Sequence, residues 1–185
     1  TLNTGGTLSI SDVDSPATFV AQRNVRDRNG TFRIDSDGRW NYVAGRAYDE
    51  LNAGQSLSDS FTVSSADATT TTVKVIINGS NDPASLSAAN VKLAETNSIR
   101  SAGGTLTVID VDSPMSFVAQ SNVAGASGIF NIDTSGRWSY VAKSSFDELN
   151  DGQNVSDSFT ATSSDGTATT VKVTINGTND AAVLS

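Results

Sequence analysis

Two long stretches of this chain repeat one another without a gap. The segment 6–16, GTLSISDVDSP, recurs at 104–114 as GTLTVIDVDSP, an offset of 98 residues. The same offset holds from Gly6 to Leu86. Self-similarity over such a length is typical of tandem modules, each of which is one folded unit. The sequence therefore predicts two copies of a single fold.

Each copy is predicted to consist of short strands. Apolar and polar residues alternate with period two, and turn residues separate the alternating runs. About seven short strands in about 98 residues is typical of an immunoglobulin-like β-sandwich. The fold class is therefore all-β, with two tandem domains, 1–82 and 83–185. The predicted strands are 7–11, 17–22, 31–35, 39–43, 58–64 and 71–77, each with a partner 98 residues later.

The second copy has a segment that the first copy lacks. An opening strand is predicted near Val91–Ala94, and nothing at the front of the first copy corresponds to it. The pairs Asp37-Gly38 and Ser135-Gly136 are predicted hairpin turns. The segment 48–52 is predicted to be a single helical turn.

Large apolar side chains alternate with polar neighbours in both copies. Such a cluster can form a sugar platform or a core, and the burial of aromatic rings in small domains favours the core. The run Thr69–Thr72 is predicted to be a solvated strand face rather than an ice- or sugar-binding array. The predicted core residues are Trp40, Tyr42, Phe61 and Val73, with Trp138, Tyr140, Phe159 and Val171.

Composition argues against several functions. The chain has no Cys and no His, which removes disulfides, thiolate and imidazole metal ligands, and a histidine general base. Its formal net charge of −8 repels nucleic acid and anionic membranes. No apolar run of about 18 residues is present to span a bilayer. Acidic pairs recur in both copies, which catalytic pairs rarely do. We therefore expect no enzyme, no nucleic-acid partner and no membrane insertion.

Two carboxylates stand two residues apart at the end of a predicted strand. Asp110 and Asp112 share one face of that strand, where like charges repel unless a cation lies between them. Ca²⁺ accepts roughly six to eight oxygen ligands in loose geometry, so loops from two modules can pool them. We predict a Ca²⁺ site at the junction of the two domains. Its predicted ligands are Asp49, Glu50, Asn78, Asn81, Asp82, Asp110, Asp112 and Asp165.

The same motif also suits an ordinary turn. Asp and Ser accept backbone hydrogen bonds in turns, and Pro fixes φ, so Asp-x-Asp-Ser-Pro serves either purpose. Asp35 and Asp133, which precede the hairpins, are interpreted as Asx-turn residues rather than ligands. For the junction, both interpretations stay open at this point.

Three motifs resemble those of the VCBS-type repeats of large bacterial RTX and type I-secreted surface adhesins. They are GTLTV running into DVDSP at 104–114, the segments GRWNYVA and GRWSYVA, and the closing segments NGSND and NGTND. The resemblance covers nearly the whole chain. It implies a cadherin-like sandwich, secretion without disulfides, and a place in an extended cell-surface stalk.

The acidic motifs also resemble those with which cadherins hold calcium between modules. Asp110 and Asp112 look like the Asp-x-Asp motif of that family, and Asp165 looks like its Ala-x-Asp motif. One departure is Leu51, which stands where a second acidic residue is expected. The resemblance implies half-sites within the two copies. These are Asp12, Asp14, Asp67, Glu95, Asp147, Glu148, Asn179 and Asp180.

Two functions compete for such repeats. A spacer predicts near-identical copies, whereas a module that binds carbohydrate or a partner protein predicts one divergent, aromatic-rich loop. The largest difference between the copies, RDRN at 26–29 against AGAS at 124–127, contains no aromatic residue. We therefore expect an extracellular spacer of a bacterial adhesin, on the cell surface or secreted, with Ca²⁺ between its repeats. Neighbouring repeats are its expected partners, and a host glycan or protein would bind through other domains.

Overall fold

The computed structural model describes residues 1–181, and every regular element among them is a β-strand. The chain divides into two compact units, Thr1–Asn81 and Asp82–Ser185, called the first unit and the second unit. No helix among residues 1–181 is long and apolar enough to cross a bilayer. The predicted all-β sandwich class is confirmed.

The first unit has six strands in two sheets. The strands are β1 (Asn3–Thr7), β2 (Gln22–Arg26), β3 (Gly30–Ile34), β4 (Arg39–Ala44), β5 (Ser56–Ser64) and β6 (Thr70–Asn78). One sheet is antiparallel in the order β1-β4-β3-β2, and the other is the antiparallel pair β5-β6. Asp35 and Gly38 close the hairpin between β3 and β4 with a 3.1 Å backbone hydrogen bond, which confirms the predicted turn.

The second unit repeats this plan and adds strands to it. Its strands are β7 (Ser85–Leu86), β8 (Ala89–Ala94), β9 (Ser101–Thr105), β10 (Val108–Ile109), β11 (Gln120–Ala124), β12 (Gly128–Ile132), β13 (Arg137–Ala142), β14 (Asn154–Thr162) and β15 (Ala168–Asn176). They form the sheets β11-β12-β13-β9, β14-β15-β8 and β10-β7. β8 is the predicted opening strand, and it pairs with β15 in parallel.

Alternation along the strands buries one face of each sheet. Phe32 of β3 stacks on Phe61 of β5 with ring centroids 4.6 Å apart, and Phe130 of β12 stacks on Phe159 of β14 at 4.8 Å. These contacts join the two sheets within each unit. The predicted core is confirmed, since all of its residues are buried apart from Trp40, which is half-buried.

The opening strand β8 covers one edge of the second unit, and no described strand covers the equivalent edge of the first unit. β8 lies along β15, whereas β6 pairs only with β5 among the described residues. Val171 of β15 is 0% exposed and its counterpart Val73 is 6% exposed, while Ile175 is 1% and Ile77 is 7% exposed. Among the described residues, the edge of β6 is thus less fully covered than the equivalent edge of β15.

Two predicted strands of the first copy lie elsewhere. In place of the strand predicted at 7–11, the chain forms β1 at Asn3–Thr7. There Gly5 lies so close to β4 that a Cβ would stand 2.6 Å from the Trp40 carbonyl oxygen. The strand predicted at 17–22 is also wrong, since only Phe19 forms an isolated bridge there and β2 begins at Gln22. β2 itself was not predicted, because the bulge after Gln22 interrupts its alternation.

The segment 48–52 is a hydrogen-bonded turn and not a helical turn. The N–H of Leu51 donates to the carbonyl of Tyr48 over 3.1 Å, and Tyr48 has φ of 63°. A single hydrogen bond of this kind, with Asp49 and Glu50 at its centre, is a β-turn, and no residue of 48–52 is helical. The prediction of a helical turn is therefore wrong.

Candidate metal centres

The loop after β10 folds around the carboxylate of Asp110. Its Oδ1 accepts hydrogen bonds from the backbone N–H groups of Asp112, over 3.0 Å, and of Ser113, over 2.8 Å. Its Oδ2 is buried and has no hydrogen-bond partner. One oxygen of this carboxylate therefore closes a turn, while the other is shielded from water without a donor.

Residues 82–84 lie against two further carboxylates of the second unit. The N–H of Asp82 donates to Asp112 Oδ2 over 3.0 Å, and the N–H of Ala84 donates to Asp165 Oδ2 over 2.9 Å. Ala84 is buried, and the three aspartates are half-buried. Together with Asp110, these predicted ligands share one end of the second unit.

Hydroxyl groups surround Asp165 in the turn before β15. Its Oδ1 accepts from the Ser163 hydroxyl and, over 3.0 Å, from the Thr167 N–H, while its Oδ2 accepts from the Thr167 hydroxyl over 2.7 Å. These bonds, led by the one from Ser163, hold the pKa of Asp165 well below its ordinary value of 3.8. The carboxylate is therefore ionised, as a cation ligand must be. Sequence reasoning missed both hydroxyl residues, although the Ser-x-Asp-x-Thr spacing was a usable signal.

The first unit repeats both of these carboxylate turns. Asp12 Oδ1 accepts from the N–H groups of Asp14, over 3.1 Å, and of Ser15, over 2.9 Å. Asp67 accepts from the hydroxyl of Ser65. The bond from Asp14 lowers the pKa of Asp12, and the bond from Ser65 lowers the pKa of Asp67. Asp12 and Asp67 line one concavity, so the carboxylates of this half-site share a surface.

Glu95 lies at the other end of the second unit, directly after β8, and is 1% exposed. Its Oε1 accepts from the backbone N–H of Thr178 over 2.8 Å and from the hydroxyl of the same residue. Its Oε2 is buried and has no hydrogen-bond partner. The N–H of Glu95 donates to the carbonyl of Asn176 at the end of β15, whereas Asp165 precedes the start of β15. The two carboxylates therefore stand at opposite ends of the unit.

The remaining half-site residues of the second unit lie close to Glu95 in the fold. Two of them occupy the loop after β13, and two follow the end of β15. These segments touch, because a Cβ on Gly177 would stand 2.3 Å from a main-chain oxygen of that loop. All four side chains are exposed. They are Asp147, Glu148, Asn179 and Asp180.

The corresponding end of the first unit has two exposed carboxylates and an asparagine. Asp49 and Glu50 are exposed in the turn after β4, and Asn78 ends β6. Glu50 forms an ion pair with Arg46. A Cβ on Gly79 would stand 2.3 Å from main-chain oxygens next to the turn, so the turn and the end of β6 are in contact. These three predicted ligands therefore share one end of the first unit.

The predicted junction ligands belong to both units. Among residues 1–181, no three carboxylates form a metal centre by themselves. The available donors are oxygen atoms, which suit a hard cation such as Ca²⁺, and amide, carbonyl or water oxygens would have to complete its shell. The first unit contributes Asp49, Glu50, Asn78 and the exposed Asn81, and the second unit contributes Asp82, Asp110, Asp112 and Asp165.

Other carboxylates have structural roles. Oδ1 of Asp35 and of Asp133 each accepts two backbone N–H groups of its own turn, which confirms the Asx-turn interpretation. Asp59 and Asp157 are buried and accept hydrogen bonds from buried tyrosines. Sequence reasoning missed this second pair. The signal was their position, since alternation places both on the inward face of a strand.

Comparison with known proteins gives a family. A model of the bacterial cadherin-like domain matches residues 81–178, just over half of the chain. No curated protein matches. A solved endo-fucoidan hydrolase of glycoside hydrolase family 107 is similar over 97% of this chain and 27% of its own, at 11% identity and a TM-score of 0.37, too distant to indicate a shared function. Cadherin-like domains are non-catalytic, and the bacterial ones are typically extracellular. The chain belongs to the bacterial cadherin-like domain family.

Proposed function

We propose that this chain is part of the spacer of a VCBS-type bacterial surface adhesin, and that Ca²⁺ stiffens it where one module meets the next. Two buried carboxylate oxygens without a hydrogen-bond partner carry the proposal. They are Asp110 Oδ2 at one end of the second unit and Glu95 Oε2 at the other. Membership in the bacterial cadherin-like family supports an extracellular structural or adhesive module.

A plain turn accounts for only part of the Asp110 geometry. Both turn hydrogen bonds go to Oδ1, and Oδ2 has no role in the turn. Burial of a polar atom without a partner costs about 1–3 kcal/mol, and more for a charged group. Glu95 Oε2 is in the same situation inside a nearly fully buried side chain. A cation beside each oxygen removes this cost.

The placement of these oxygens suits a tandem array. Each end of the second unit has ionised or acidic oxygen donors but too few carboxylates for a complete site. A neighbouring repeat that contributes oxygens at each end would complete the shell. Neighbouring repeats are therefore the proposed partners, and the cation is the proposed link between them.

The expected stabilisation by Ca²⁺ binding is large compared with the total stability of one domain. Extracellular calcium modules bind with a dissociation constant of roughly 10⁻⁴–10⁻³ M. A hundredfold excess of free ion then stabilises the folded state by about 2.7 kcal/mol. Domains of this size have only about 5–15 kcal/mol in total. Pro83 also restricts the backbone between the modules by fixing its own φ.

Calorimetry and melting test the proposal. Titration of the full chain with CaCl₂ should release or absorb heat, and EDTA should lower the melting temperature. Asp110→Asn and Glu95→Gln should each weaken Ca²⁺ binding, because each replaces one charged oxygen by an amide nitrogen. Asp133→Asn is the matched control, since that carboxylate serves a hairpin turn.

Three results would contradict the proposal. They are no heat of binding, a melting temperature that EDTA leaves unchanged, and equal effects of the control and the two site variants. Small-angle scattering tests the stiffening separately. The maximum dimension of the chain should fall when EDTA is added, because the backbone between the two units can then bend.

A further inference from the structure

We infer a second binding site on the first unit from a concavity of about 580 Å³ on its four-stranded sheet. Three exposed arginines line it, namely Arg23 of β2, Arg33 of β3 and Arg39 of β4. Three amide side chains also line it. This set, called the arginine groove, comprises Arg23, Arg33 and Arg39 with Gln22, Asn24 and Asn41.

The strand register brings part of the groove together. Arg33 and Asn41 face each other as direct partners across β3 and β4. On the far side of β4, Asn41 is paired with Gly5 of β1, and its amide donates to the Thr4 carbonyl over 3.3 Å. The neighbours of Arg33 along β3, Phe32 and Ile34, are buried, so alternation places Arg33 on the outer face.

A bulge in β2 supplies the rest of the groove. The register shifts between Gln22 and Val25, so Arg23 and Asn24 together stand opposite the single residue Arg33 of β3. Asn24 has φ of 55°, in the left-handed region that Asn tolerates better than most residues. A bulge re-aims side chains out of the regular alternation. The bulged residues can therefore line the same concavity as Arg33.

The arginine groove carries an excess of positive charge on a chain that is acidic as a whole. None of its arginines forms an ion pair among residues 1–181. Asp35 also lines the concavity, but its Oδ1 accepts the N–H groups of Asp37 and Arg39 and closes the hairpin. Three arginines and one aspartate thus line the groove, on a chain with a net charge of −8.

The second unit shows which of these residues the fold requires. It has the same bulge, with Asn122 at φ of 55°. It has no arginine at the positions equivalent to Arg23 in the bulge and Arg33 in β3, and it keeps only the arginine equivalent to Arg39. The residues equivalent to Arg23, Arg33, Arg39 and Asn41 are Ser121, Asn131, Arg137 and Ser139. The fold therefore forms without Arg23 and Arg33, and binding of an external anion gives them a role.

The ligand proposed for the groove is an acidic polysaccharide, held through carboxylate or sulfate groups. Guanidinium groups pair with such oxyanions through two parallel hydrogen bonds, and amides can bind neighbouring hydroxyls. Single-stranded nucleic acid fits less well because it needs exposed rings for stacking, and the half-buried Trp40 ring packs on Phe32 at 6.0 Å. A protein partner needs a large apolar anchor, and no exposed one lines the groove.

Binding to defined polymers tests this site. The full chain is titrated in EDTA with polygalacturonate, dextran sulfate and neutral dextran, so that the outcome does not depend on Ca²⁺. The variants are Arg23→Ser and Arg33→Asn, alone and together, which install the residues of the second unit. Lys74→Asn is the matched control, because it removes one exposed positive charge from the other sheet.

The double variant should lose about tenfold or more in affinity for at least one anionic polymer. The control should lose less than about twofold, and about 0.5 M NaCl should weaken wild-type binding strongly. The polymer that binds tells carboxylate from sulfate recognition. No binding, equal binding by all variants, equal binding of neutral dextran, or tighter binding of single-stranded DNA would each overturn the proposal.

Discussion

The hydroxyl of Tyr42 on β4 donates a hydrogen bond to Asp59 Oδ2 on β5 over 2.8 Å, and both residues are 2% exposed. This bond joins the two sheets of the first unit through their core. Asp59 also accepts the side-chain amide of Asn29 over 2.7 Å, which fixes the loop before β3. Desolvation, followed by the hydrogen bond to Asp59, raises the pKa of Tyr42 above its ordinary value of 10.0. The phenol therefore remains a donor at neutral pH.

Removal of this donor should destabilise the sandwich. In the second unit Tyr140 makes the same bond to Asp157, over 3.0 Å. Tyr140→Phe keeps the ring but takes one partner from a buried carboxylate, so the free energy of unfolding should fall by about 1–3 kcal/mol. Urea unfolding followed by Trp138 fluorescence in a Trp40→Phe background measures it. Ser158→Ala, at an exposed position next to Asp157 on β14, should change it by less than about 0.5 kcal/mol, and equal losses would refute the role of the bond.

Ala68 adopts a conformation that glycine adopts in the second unit. Its φ is 70°, and the equivalent Gly166 has φ of 91°. The left-handed region costs an L-residue roughly 1–2 kcal/mol. Glycine avoids this cost, but it loses more backbone entropy on folding, which offsets part of the gain. Ala68→Gly should therefore stabilise the first unit by about 0.5–1 kcal/mol, and Gly166→Ala should destabilise the second unit similarly. Thermal unfolding measures both, and a shift of both variants in the same direction would contradict the argument.

The carboxylate of Asp165 should make the second unit sensitive to acid. Its pKa is lowered in the folded state relative to 3.8, chiefly by the Ser163 hydroxyl. A lowered folded pKa means that the stabilisation is present above about pH 4 and is lost as the pH falls through the folded pKa. Asp165→Asn should thus be less stable than wild type at neutral pH, and the gap should shrink in acid. Melting temperatures from about pH 7 to pH 2 measure the gap, and a gap that stays constant would rule out this linkage.

An added opening strand should protect the open edge of β6. Ile99 is equivalent to Thr1, so residues 84–98 fused directly ahead of Thr1 reproduce the spacing of the second unit. By analogy with the pairing of β8 and β15, the added strand should lie along Val73 and Ile77. Hydrogen exchange of β6 should slow by about tenfold or more, while β15 serves as an internal reference.

The control for this experiment is the same extension with aspartates in place of its two inward apolar residues, Val91 and Leu93. That extension should leave exchange in β6 unchanged, because the charged side chains cannot be buried against the core. Equal protection by both extensions would show that the strand does not use this edge. Protection that depends on protein concentration would show pairing between molecules instead.

The sandwich was predictable where alternation is unbroken. The predicted strand 58–64 lies within β5, whose inward residues include Phe61 and Val63. β1 was not predictable in the same way, because Gly5 and Gly6 have no apolar side chains and are needed for close approach to Trp40. In β2, whose residues are mostly polar, the bulge interrupts the alternation of inward and outward side chains. Local pattern cannot show either effect, since both depend on a neighbouring strand.

The carboxylate turns were predictable in part. Asp110 and Asp165 were identifiable from motif spacing, because the turn partners are local in sequence. The burial of Glu95 was not, since its partner Thr178 lies 83 residues further along the chain. Which oxygen of Asp110 is left without a donor also depends on tertiary packing. Sequence can identify candidate ligands, but only the fold shows which of their oxygens are buried without a hydrogen-bond donor.

The parallel pairing of β8 with β15 determines how the second unit resists a pulling force. Tension along the chain draws β8 toward its first residue and β15 toward its last, so the two strands must slide past one another. The six paired positions from Ala89 to Ala94 then resist together, in shear, instead of opening one at a time.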